Sequence, residues 1–146
     1  MVLQILILPH GRGLPLPQYA SPGAAAVDLY AAVEEELTIQ PHTTVAVPTG
    51  FALALPEGYE GQVRPRSGLA LEHSIGIINA PGTIDSDYRG EVMVLLTNFS
   101  DQDYTIKRGD RIAQLVLAKC EKIEWDVVDE LAPSARGAGG FGHSGK

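Results

Sequence analysis

A chain of 146 residues and 15.6 kDa has room for one hydrophobic core, so a single domain is expected and all chemistry must sit on it. Its 18 acidic and 11 basic residues leave a net charge of −7, which opposes sequence-independent binding to nucleic acid or to an anionic membrane surface. A hydrophobic share of 45% excludes disorder for most of the chain.

Glycine (16) and proline (10) cut the sequence into short apolar runs. In chain order the expected strands are 3–8, 27–30, 37–39, 43–47, 51–55, 61–64, 75–78, 91–98, 104–106, 112–118 and 123–128, each rich in Val, Ile, Leu, Thr or Tyr. So many short strands predict an all-β sandwich or jelly roll. The first run, Val2 to Leu8, is interrupted by Gln4 and has no Lys or Arg before it, so it reads as a strand and not as a signal peptide. No run reaches the roughly 18 residues of a membrane span. The only sizeable helix candidate is 68–73, beneath Ser67 as N-cap. The lone cysteine, Cys120, follows an apolar run and is expected as a small core residue; lacking a disulfide partner, it suits a reducing cytoplasm. Residues 1–130 are expected as the β domain and 131–146, with five glycines and no strand pattern, as a flexible arm. Stretched out, that arm would span roughly 50 Å, enough to cross its own domain or reach a neighbour.

Three stretches carry groups suited to chemistry. Arg66-Ser67-Gly68 offers a guanidinium, a hydroxyl and backbone N–H groups at a helix start, all donors to phosphate oxygens; Ser-Gly is also ordinary turn chemistry. Residues 82–90 lie between apolar runs and are expected as the turn of a β-hairpin. Asp85 there can hold a water and take its proton as a general base, or it can join Asp87 in capping the turn through Asx-type hydrogen bonds. In the arm, residues 140–146 match the opening of a Walker A loop, but such a loop needs a strand before it and a helix after it, and neither is expected. The arm's glycine N–H groups can still wrap a polyphosphate, with Arg136 adding charge and Phe141 stacking on a base. His10, His42, His73 and His143 share no zinc-ligand spacing, and the first three are expected at surface or turn positions.

Taken in order, residues 24–30 (AAAVDLY), 65–70 (PRSGLA), 79–90 (NAPGTIDSDYRG), 108–116 (RGDRIAQLV) and 136–142 (RGAGGFG) resemble the five motifs of the trimeric deoxyuridine triphosphatases. The resemblance implies an all-β subunit of distorted jelly-roll or β-clip type, assembled as a homotrimer with active sites at subunit interfaces and the C-terminal arm closing over a site built by its neighbours. It implies hydrolysis of dUTP to dUMP and pyrophosphate with Mg²⁺ on the triphosphate, which keeps uracil out of DNA and supplies dUMP for dTMP synthesis. By motif match, Asp85 would activate the attacking water. Arg66, Ser67, Gly68, Gln114 and Arg136 would hold phosphates. Asn79, Thr83, Ile84 and Met93 would belong to the hairpin that reads uracil, Tyr88 would pack on the deoxyribose, and Phe141 would stack on the base. Asp28 would act on the metal through water. His143 stands where the family often has Ser or Thr, and an imidazole meeting the terminal phosphate would make affinity depend on pH. The alternatives are a dCTP deaminase of the same fold, which the glycine-rich phenylalanine arm opposes, and a nucleotide-binding protein without turnover.

Overall fold

Along Glu91–Asn98 every second side chain is apolar and enclosed: Val92, Val94 and Leu96 are at most 2% exposed, whereas Met93 between them is 40% exposed. That two-residue period belongs to a strand with one face on a core. A computed structural model describes residues 1–140 of the chain. Among them are eleven strands: β1 (Gln4–Ile7), β2 (Gln18–Tyr19), β3 (Val27–Tyr30), β4 (Leu37–Ile39), β5 (Thr44–Ala54), β6 (Tyr59–Arg64), β7 (Ile75–Ile77), β8 (Gly82–Ile84), β9 (Glu91–Asn98), β10 (Tyr104–Ile106) and β11 (Arg111–Lys119). One short helix, α1 (Ser67–His73), follows β6. The strands form a four-stranded sheet in the order β1-β5-β9-β7, a five-stranded sheet in the order β2-β3-β11-β6-β8, and the pair β10-β4. All the pairings are antiparallel. Leu29, Ile39, Val47, Ile75, Val94, Leu96, Ile106 and Ile112, drawn from seven of these strands, fill one core.

The all-β, jelly-roll-type expectation holds, and the departures have local causes. Segments 43–47 and 51–55 are not separate strands but one, β5, which runs through Pro48 and Gly50. Its register against β9 jumps from Pro48↔Met93 to Ala52↔Glu91, Gly50 takes a φ of 75°, and the buried Thr49 hydroxyl donates to the Val92 carbonyl at 2.6 Å. A bulge therefore absorbs the proline and the glycine without ending the strand. Residues 123–128 are not a strand: they form no ladder among the described residues, and Ile123, Trp125 and Val127 are 70%, 83% and 93% exposed. Cys120 is exposed rather than in the core, because β11 ends one residue earlier. Ser67 is the first helical residue and not the N-cap, which is Arg66 and makes no side-chain cap bond.

The 3₁₀ turn Pro9–Gly11 crosses the β5 bulge so closely that only glycine fits at either position. A Cβ on Gly11 would stand 2.1 Å from the Gly50 carbonyl oxygen, a backbone atom that cannot swing aside. Gly11→Ala is expected to cost about 3 kcal/mol through this overlap, seen as a lower urea midpoint with an unchanged slope.

Candidate functional site

Four of the residues expected to hold phosphates, Arg66, Ser67, Gly68 and Gln114, gather at one end of the five-stranded sheet. Register places Gln18, Asp28, Gln114 and Arg64 side by side across β2, β3, β11 and β6, and residues directly opposite in antiparallel pairs share a face. Asp28 organises this edge. One carboxylate oxygen lies 3.2 Å from Nη1 of Arg111 and the other 3.4 Å from Nε of Arg66, with the Asp28 side chain only 15% exposed. Arg66 also donates from Nη1 to the Arg111 carbonyl at 3.0 Å, and Gln114 donates from Nε2 to the Pro65 carbonyl at 2.9 Å. Two guanidiniums share one carboxylate, with Asp110 lining the cleft beside them, so this edge holds oriented N–H donors for an anion. Arg111 was missed as a site residue, although it stands three residues before Gln114 in the same motif.

Where β6 leaves the sheet, α1 begins with Ser67 and Gly68 exposed. Since Arg66 supplies no side-chain cap, the first-turn N–H groups are left to solvent or to a ligand. A Cβ on Gly68 would meet nothing within 4 Å, so packing inside the chain does not explain this glycine. Tyr104 lines the same cleft with Tyr30, Leu69 and Asp110. Burial first, and the Asp110 charge second, push its phenol above the usual tyrosine range, which leaves it a neutral hydrogen-bond donor.

Asp85 stands elsewhere. The 82–90 stretch is more than a hairpin turn: β7 and β9 do pair, but the chain between them crosses to the other sheet and adds β8 beside β6. Asp85 follows β8 directly, is exposed, and makes no ion pair among the described residues. The turn around it is held by Tyr88 N–H on the Asp85 carbonyl at 3.2 Å and by Arg89 on the Ser86 and Tyr88 carbonyls at 2.7 and 2.8 Å. Asn79 and Thr83 are exposed, while Ile84 is 8% exposed and packs in the core, so only its backbone faces outward chemistry. Met93 sits on the open face of β9, opposite Pro48, in the four-stranded sheet. Tyr88 is 45% exposed.

The two groups lie at opposite ends of β6. Gly61 pairs with Ile84, which sets Asp85 opposite Glu60 near the beginning of that strand, while Arg66 follows its end. From Glu60 to Arg66 the chain takes six extended steps, roughly 20 Å at about 3.3 Å each. Arg136 belongs to neither group: its Nε donates to the Gly139 carbonyl at 2.6 Å in an exposed turn. Phe141 and His143 lie outside the described residues.

Fold and polar geometry together define an all-β protein with an arginine-bearing strand edge suited to an anionic ligand and, apart from it, a turn whose carboxylate makes no ion pair among the described residues. The dUTPase family profile matches residues 12–145. The chain is 55% identical over 143 residues to the deoxyuridine 5'-triphosphate nucleotidohydrolase of Anaplasma marginale (strain St. Maries), covering 98% of this chain and 97% of that one. It is 51% identical over 146 residues to the enzyme of the same name from Wolbachia pipientis subsp. Culex pipiens (strain wPip), covering 99% and 95%. Among solved structures, the Staphylococcus bacteriophage 80alpha dUTPase with dUpNHpp superposes with a TM-score of 0.89 at 27% identity over 99% of both chains. The chain belongs to the dUTPase family.

Proposed function

We propose that the protein hydrolyses dUTP to dUMP and pyrophosphate, and that each active site is shared between subunits of a homotrimer. The observation that carries the shared site is the separation along β6. A triphosphate seated on Arg66, Ser67, Gly68 and Gln114 lies too far from Asp85 of the same chain for that carboxylate to hold a water in attacking position, a distance of about 3 Å. A neighbour's Asp85 turn meeting this chain's phosphate edge removes the difficulty. The exposed 123–128 segment supports the same assembly, since an apolar strand-forming run without a strand partner among the described residues can find one in another subunit. In that trimer the chain continues into Arg136 and Phe141, which close the site over the terminal phosphate and the base.

In this reading Asp85 orients the water and takes its proton, while Arg66, Arg111 and the α1 N–H groups stabilise charge on the phosphates, the main task in phosphoryl-type transfer. The Asn79–Ile84 backbone and Met93 read uracil. Cytosine would present an amine and an acceptor where uracil presents an acceptor and an N–H, leaving polar groups unpaired. Tyr88 stands against the deoxyribose. Among the described residues no three His, Cys, Asp or Glu side chains cluster to cage an ion. That donor set suits Mg²⁺ carried by the triphosphate, since the ion keeps several waters and takes few carboxylates alongside phosphates. Asp28 would hold it through water, having acceptor capacity beyond its two arginine contacts; the ion, when bound, offsets the triphosphate charge. His143 would reach the terminal phosphate with the arm. A cytoplasmic location is supported by the unpaired, exposed Cys120, and no helix among the described residues is long and apolar enough to cross a membrane.

The direct test is incubation with Mg²⁺ and, separately, dUTP, dCTP, dTTP and UTP. Pyrophosphate from dUTP alone is expected; ammonia from dCTP would replace this reading with a deaminase, and no product from any of the four would leave a binding protein. Deletion of residues 136–146 is expected to cut dUTP turnover by about 10²-fold through loss of the closing charge and stacking. The midpoint of unfolding should stay unchanged, because residues 131–138 are exposed throughout and contribute nothing to the core.

A further inference from the structure

Tyr88 is held from two directions. Its hydroxyl donates to the Glu91 carbonyl at 2.9 Å, which folds the ring back over Gly90. A Cβ on Gly90 would stand 2.4 Å from the phenol oxygen and 2.9 Å from a ring carbon, so this ring position requires glycine. The acceptor is itself fixed. Oε1 of Glu91 accepts from Nε2 of His10 at 2.7 Å and from the Gly50 N–H at 2.8 Å. The His10 and Glu91 side chains are only 28% and 21% exposed, a setting in which a charge-assisted hydrogen bond is screened less than at an open surface. His10, expected as a surface or turn residue and found in the Pro9–Gly11 turn, is tied to a residue 81 positions away.

We propose that Gly90, Glu91 and His10 are positioning residues for sugar selection: they fix the Tyr88 ring in the pose from which it excludes a 2′-hydroxyl. Gly90 acts by having no side chain, and His10 acts through Glu91, whose backbone carries the hydroxyl acceptor. A side chain rejects one extra oxygen only if it cannot move away, so a wall built from an exposed tyrosine needs such an anchor. Without it the ring turns outward, UTP gains access, and dUTP loses little. This inference rests on the reading of Tyr88 as the group facing the sugar.

The experiment measures kcat and KM for dUTP and UTP in the full-length protein and in His10→Ala, His10→Gln and Gly90→Ala, alongside the ¹³C spectrum of ring-labelled tyrosine with the Tyr88 signal assigned from Tyr88→Phe. The dUTP:UTP ratio of kcat/KM is expected to fall about tenfold or more in His10→Ala and Gly90→Ala, chiefly through UTP. The Tyr88 signal should move in both. His10→Gln, whose amide can still donate to Glu91, should restore ratio and signal together, which a general loss of stability would not do. Should His10→Ala fail to fold, Gly90→Ala, whose new methyl meets the Tyr88 ring first, carries the test. An unmoved Tyr88 signal, or an unchanged ratio in a wild-type enzyme that does discriminate, overturns the proposal. A wild type that turns over dUTP and UTP equally overturns the sugar-facing reading of Tyr88 instead, and the signal still decides the anchor.

Discussion

Asp85→Asn is expected to bind dUTP with near-normal affinity and to lose turnover by about 10²- to 10⁴-fold, the usual worth of a general base. The physical basis is local. Asp85 is exposed, is ion-paired to nothing among the described residues, and contributes only its backbone carbonyl to the turn that carries it. An amide therefore preserves shape and turn while removing the proton acceptor. Quenched-flow turnover beside equilibrium titration with dUTP separates the two effects. Near-normal turnover would reassign the base; equal losses in binding and rate would make Asp85 a substrate-binding residue instead of the base.

Chain punctuation and alternation made most of the fold legible. β3, β4, β9 and β10 have the expected ends, because each is a short apolar run between turn residues and needs only its own sequence to be seen. The Pro48–Gly50 pair misled because a bulge tolerates both residues, and what keeps β5 continuous is a hydrogen bond from Thr49 to a strand 43 residues away. β8 was hidden for a similar reason: three residues carry no period, and its ladder partner is β6, fixed only by tertiary structure. The 123–128 run shows the opposite failure. Its pattern is a strand pattern, but a strand needs a neighbour, and none is offered among the described residues. At the candidate site the residue types were readable from motifs, but their arrangement was not. Nothing in the spacing of Asp28, Arg66 and Arg111 states that one carboxylate joins two guanidiniums, or that Asp85 lies at the far end of β6 from them. The His10 to Glu91 contact had no sequence signal at all.

Co-expression of two separately inactive variants gives the largest effect expected from assembly. Arg66→Ala alone should reduce turnover by about 10²-fold or more, since it removes a guanidinium from the phosphate edge. It should still fold, because Arg111 remains on Asp28 at 3.2 Å and the Gln114 bond to Pro65 does not depend on Arg66. Asp85→Asn is inactive for the reason already given. If one chain supplied both groups, every subunit of a mixture would lack one of them, and activity would stay at background in any ratio. If a site takes Asp85 from one subunit and Arg66 from the next, a one-to-one mixture restores a complete pair at about one interface in four, by random assembly of a symmetric oligomer. Activity near a quarter of wild type is therefore expected after co-expression, whereas mixing preformed trimers should give none until subunits exchange. Sedimentation of the same samples should show a trimer. Background activity in co-expressed trimers would place Asp85 and Arg66 in one subunit and would require the chain to bend β6 ends together, which its ladder with β11 from Tyr59 to Arg64 forbids.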